Sequence, residues 1–196
     1  MAVYEKAGET DEWFTPKYIF EALNEKFDLD VASPKGGPRY VPTKNWYYEN
    51  SLNLQWNGFI WMNPPFGHQS TKRAWLAKFF EHKNGIALLP DRTSAPWWQE
   101  YAIKADAILF VSPKVKFERP DGSIGMSPGT GTTLFASGER AVNSLIKSKL
   151  GAVFFSEIAT KPAEPVIPHP DAGDRLLPAF QSVRNKHVTP SKSHAL

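Results

Sequence analysis

Cysteine is absent from all 196 residues. That removes disulfides, thiolate zinc sites, iron–sulfur clusters and cysteine nucleophiles together. No apolar run approaches the roughly 18 residues of a membrane span, and the opening MAVYEKAGETDEW has no apolar signal core. A cytoplasmic protein with no membrane partner is expected. Neither sign of charge dominates, since 23 basic against 20 acidic residues leave +3. This excess does not demand a nucleic-acid partner and does not resist one. Internal repeats and metal-ligand spacing among the histidines are also missing. What is abundant is proline (17), phenylalanine (13) and tryptophan (7). Several of these aromatics stand beside Pro, Asn or Gly, where loops form.

The length suits one compact domain. Residues 1–10 read as a loose leader. Thr15-Pro16 opens a helix, with Thr15 as N-cap and Tyr18, Ile19, Ala22 and Leu23 as its apolar stripe. Phe27 to Ala32 reads as a strand, residues 33–46 as loop, and Leu52 to Gln55 as a short extended piece. The run Phe59-Ile60-Trp61-Met62 is typical of a strand covered on both faces. A helix over 70–82, a strand over 85–89, a helix over 96–104 and a strand over 107–111 follow. Beyond the turn-rich segment 112–130 come a strand over 132–136, a helix over 140–149 and an apolar run over 152–155. Residues 161–196 hold six prolines and three of the five histidines, and read as a disordered or loosely docked tail behind a catalytic domain of residues 1–160. Alternation of helices with apolar strands indicates an α/β domain with a largely parallel sheet, whose ligands sit beyond the carboxyl ends of the strands.

Three motifs fall where such ligands sit. Asn63-Pro64-Pro65-Phe66 ends the apolar strand. Its prolines fix two φ angles and remove two N–H donors, leaving a stiff turn rich in acceptors. The Asn63 oxygen and the Pro64 carbonyl can each accept one proton of a planar amino group, and Phe66 can stack on the ring that bears it. Phe27-Asp28-Leu29-Asp30 carries acids at alternate positions, which puts Asp28 and Asp30 on one face or Asp30 at the strand tip. A carboxylate there can bind an ammonium or hydroxyls. Asp11-Glu12-Trp13-Phe14-Thr15-Pro16 stands at a helix start, which attracts a carboxylate. Each motif alone also fits an inert element: a rigid turn, a solvated edge strand, an ordinary cap.

D-x-W-x-T-P, then F-D-L-D-x-A, then an apolar strand ending in N-P-P-F, together resemble the phage and prophage Dam-type DNA N6-adenine methyltransferases. Leu88-Leu89-Pro90-Asp91-Arg92-Thr93 before Trp97-Trp98, and Lys116-Phe117, extend the similarity, which spans roughly residues 11–137. The resemblance implies a Rossmann-like S-adenosylmethionine-dependent fold with a reduced, mostly parallel sheet and flanking helices. It implies S-adenosylmethionine as cofactor, DNA as partner, and the host cytoplasm as location for a phage-encoded enzyme. Asn63, Pro64, Pro65 and Phe66 become the catalytic motif. Trp13, Thr15 and Pro16 hold the methionine end of the cofactor, with Asp28, Asp30 and Ala32 at the first strand and Asn50 toward the cofactor adenine.

Only 33 positions separate Asp30 from Asn63, too few for the further strands and helices a standard methyltransferase places there. The loop 34–52 is therefore expected to build much of the adenosine pocket, with Tyr40, Trp46, Tyr47 and Tyr48 available for stacking. Lys72, Arg73 and Lys78 are either contacts to a DNA backbone or a solvated helix face. His68 reads as a solvated loop residue, and Gly129–Thr133 lacks the lysine of a phosphate loop. Absence of a thiolate excludes cytosine C5 methylation. Cytosine N4, an RNA base, a protein glutamine, and a catalytically silent nucleic-acid-binding relative remain as alternatives.

Overall fold

The computed structural model describes residues 13–66, 68–126 and 129–156. The leader and the 161–196 tail lie outside the described residues. The elements run α1 (Lys17–Leu23), β1 (Leu29–Asp30), β2 (Ile60–Met62), α2 (Gln69–His82), β3 (Gly85–Pro90), α3 (Pro96–Ala102), β4 (Ala107–Val111), β5 (Thr132–Ser137), α4 (Glu139–Ser148) and β6 (Gly151–Phe154). The strands form one sheet in the order β1-β2-β3-β5-β4-β6.

Period-two alternation sorts the strand residues into two cores. Ile60, Met62, Ala87, Leu89, Ile108 and Phe135 face α2 and α3, whose Trp75, Phe79, Trp98 and Tyr101 cover them. Phe59, Trp61, Ile86, Leu88, Leu109 and Leu134 face α1 and α4, against Ile19, Phe20, Leu23 and Leu145. The 59–62 run is thus covered on both faces, as its composition indicates.

The sheet is less parallel than expected. β1, β2 and β3 pair in parallel, whereas β5 pairs antiparallel with both β3 and β4, and β6 antiparallel with β4. The cause is the 112–131 connection, which has no crossover helix and returns the chain beside β4 in the opposite sense. An apolar strand carries no signal of its direction, so composition alone does not reveal this reversal.

The short β1–β2 connection finds its own solution. Segment 45–47 lies alongside β1 like an irregular extra strand, with a parallel bridge between Asp30 and Trp46. Asp30 N donates to Asn45 O (3.0 Å), Tyr47 N to Asp30 O (2.8 Å) and Ser33 N to Tyr47 O (2.9 Å). Residues 51–53 form a single 3-10 turn, which replaces the start of the extended piece expected over Leu52 to Gln55. Lys78 of α2 holds that turn by donating to the carbonyls of Ser51 (3.2 Å), Leu52 (2.8 Å) and Leu54.

Candidate active site

β1 and β2 end side by side, and beyond their carboxyl ends opens a cavity of about 850 Å³. Asp30 and Asn63 both line it. Asp30 is 3% exposed, and its Oδ1 accepts from Ala32 N at 3.1 Å. Burial pushes its carboxyl up to about 7, against the Ala32 amide and Ser33 hydroxyl, which favour the charged form. An acid so placed gains most from a cationic or hydroxyl-bearing ligand.

Asn63 is half-buried and its Nδ2 donates to Thr15 Oγ1 at 3.2 Å. Pro64 is buried, and Pro65 and Phe66 are exposed at the mouth. Lys72 fixes the far end of this turn: its Nζ donates to the Phe66 carbonyl at 2.9 Å. Lys72 is buried, and burial, followed by the charge of Arg92, lowers its ammonium below the ordinary lysine range. Arg73 pairs with Glu100 and Lys78 caps the 3-10 turn. All three basic residues therefore have partners within the chain, and the buried Lys72 departs from the reading of a solvated helix face. His68 caps α2 by accepting from Ser70 N.

The cavity's remaining walls come from three loops. Trp13, Phe14 and Thr15 form one. Thr15, expected to cap α1, makes no cap bond; Pro16 occupies the cap position and the Thr15 hydroxyl turns to Asn63. The second wall, Pro34, Lys35, Pro38 to Val41, Tyr48 and Glu49, comes from the 34–52 loop. The third comes from the β4–β5 connection and includes Phe117, Met126 and Gly129 to Thr132.

Segment 117–125 is a small hairpin, closed by Arg119 N to Ser123 O (2.8 Å) and Gly125 N to Phe117 O (2.8 Å). It is clamped to the first wall. Phe14 and Glu118 exchange backbone hydrogen bonds of 2.9 and 3.0 Å. Arg39 lies 4.0 Å from the Phe14 ring centroid and donates to the carbonyls of Arg119 (2.9 Å) and Pro120 (2.6 Å). Tyr40 Oη donates to Glu118 at 2.9 Å. Gly125 is required beneath Trp13, since a Cβ there would sit 2.7 Å from the ring. The clamp sets Phe117 edge-on to Phe66, with centroids 6.3 Å apart.

Five residues assigned from the sequence do not reach the cavity. The Asp28 carboxylate accepts from Phe59 N at 2.7 Å and lines a separate surface hollow with Trp46 and Tyr47. It ties β1 to β2, because alternate strand residues share a face but here only Asp30 lies at the tip. Pro16 and Asn50 are not in the lining; Asn50 is the left-handed residue that opens the 3-10 turn. Trp46 and Tyr47, expected to stack in the pocket, pack beside β1 instead. Conversely, Gly129–Thr132, set aside in the sequence as a phosphate loop without its lysine, lines the cavity through the reversal of β5.

A buried acid and a rigid amide–proline turn at the carboxyl ends of adjacent parallel strands define an α/β protein with one large ligand cavity there. The profile of the DNA N-6-adenine-methyltransferase (Dam) family matches residues 4–162, and the chain belongs to that family. A DNA N-6-adenine-methyltransferase of Escherichia phage T1 is 26% identical over 185 residues, covering 90% of this chain and 74% of the relative. No solved structure matches the chain at a significant level. The activity is therefore methylation of adenine N6 in DNA. No helix among the described residues is long and apolar enough to cross a membrane.

Proposed function

We infer that the cavity shared by Asp30 and Asn63 is the site of methyl transfer, within a reduced Rossmann-like methyltransferase fold. The observation that carries this reading is their meeting at the ends of adjacent parallel strands, β1 and β2. Parallel β1, β2 and β3 with helices on both faces support the fold assignment.

The residues fit S-adenosylmethionine. The buried Asp30 carboxyl, raised to about 7, suits an ammonium or ribose hydroxyls. The Trp13–Thr15 wall lines the same cavity, and Tyr40 and Tyr48 offer aromatic faces. When bound, this cofactor supplies a methyl group made electrophilic by its sulfonium.

The chain's own part is positioning and polarisation. Adenine N6 is a poor nucleophile because its lone pair is delocalised into the ring. Asn63 Oδ1 and the Pro64 carbonyl accept its two protons and draw it toward tetrahedral geometry. Phe66 stacks on the base and the edge of Phe117 bounds the same space, which identifies Phe117 as a further pocket residue. A stacked duplex hides N6, so the base is flipped into the cavity. No general base is needed before attack; methylation makes N6 cationic, and the surplus proton then leaves readily.

The test is Asn63→Ala. Donor affinity by calorimetry stays at the parental value, while transfer falls about 10²–10³-fold, as for loss of one polarising hydrogen bond. Nucleoside mass spectrometry of DNA methylated in vitro identifies N6-methyladenine as the product. A parental transfer rate in Asn63→Ala would refute the assignment.

A further inference from the structure

Asn63 poses a problem of orientation. A side-chain amide presents an oxygen and an NH2 group of nearly equal shape, exchanged by a half-turn about its last bond. Only one orientation offers an acceptor to a substrate amine; the other sets donor against donor. Asn63 Nδ2 donates to Thr15 Oγ1 at 3.2 Å, and no other hydrogen bond engages this amide among the described residues. Oδ1 is thereby left for the amine.

Thr15 is well placed to impose this choice. It is 6% exposed and lines the same cavity. Its main chain is fixed on one side by the paired Phe14–Glu118 hydrogen bonds and on the other by Pro16, whose ring restricts the preceding residue. A hydroxyl can accept and donate. With the oxygen accepting from Asn63, the hydroxyl proton is left for a second acceptor.

We propose that Thr15 is a positioning residue that fixes the Asn63 amide with its oxygen toward the substrate amine. This rests on Asn63 being the amine acceptor, as read above. Single-turnover methyl transfer is measured for Thr15→Val, Thr15→Ser, Asn63→Ala and the Thr15→Val/Asn63→Ala double variant, with donor affinity by calorimetry and thermal melts. Thr15→Val lowers the transfer rate about tenfold with donor affinity within about twofold, Thr15→Ser restores most of it, and Thr15→Val adds nothing once Asn63 is Ala. If Thr15→Val melts early, Thr15→Ala replaces it, with rescue by Thr15→Ser still required. An unchanged rate in Thr15→Val, a loss confined to donor affinity, or additive losses in the double variant overturns the proposal while Asn63→Ala remains crippled. A parental rate in Asn63→Ala overturns both readings.

Discussion

Asp28 and Asp30 differ by two positions and by everything in their surroundings. Asp28 is spent on the Phe59 amide, so Asp28→Ala lowers the melting temperature and leaves donor affinity unchanged. Asp30→Ala has the opposite signature, weakening donor binding by about 1.5–3 kcal/mol for each charge-assisted hydrogen bond lost. Calorimetry and melting curves on the two variants separate the roles; equal effects on affinity would refute the assignment. The raised Asp30 carboxyl also gives stability a definite pH dependence. Between about 4 and 7 the unfolded chain has lost this proton and the folded, donor-free chain keeps it, so stability falls as pH rises across that window. Asp30→Asn removes the penalty. The donor-free variant is more stable than the parent at pH 8 by up to about 4 kcal/mol, and the gap narrows toward pH 4. Denaturant melts at the two pH values measure this. At this scale the sequence was informative about position, since Asn63, Asp30, Thr15 and Trp13 all line the cavity. It could not separate two aspartates on one strand, because the difference lies in a partner 31 residues away.

Elements with dense apolar patterning were legible to within a residue or two, β3, β4 and α2 among them. The failures are non-local. β1 is two residues long, and the 45–47 loop pairs along its other edge, a neighbour that nothing near Trp46 announces. A solvated face is one reading of the α2 lysines in sequence, yet Lys72 is enclosed beside Trp97 and secures the Asn63–Phe66 turn. The 117–125 hairpin is a further case, since its clamp joins residues some 80 positions apart. Arg39→Gln removes the stack on Phe14 and weakens both carbonyl contacts. Trypsin then cuts at the hairpin's base, after Lys116, several-fold faster than in the parent, by more frequent local opening. An unchanged digestion rate would mean that the hairpin's own turn suffices to hold it.

The molecule as a whole builds its cavity with little chain. Helices on both faces hold the parallel strands, and loops supply the remaining walls. The reversal at β5 is the one global feature the apolar pattern hid, and it brings Gly129–Thr132 to the cavity. One consequence of the buried Asp30 reaches the solvent. At pH 7 its carboxyl, raised to about 7, is partly protonated in the donor-free protein, so capture of a cationic donor expels a fraction of a proton per molecule. The heat of binding then contains the heat of that proton entering the buffer. Titrations at pH 7 in phosphate and in Tris should give different enthalpies for the same affinity, and in Asp30→Asn the difference should vanish.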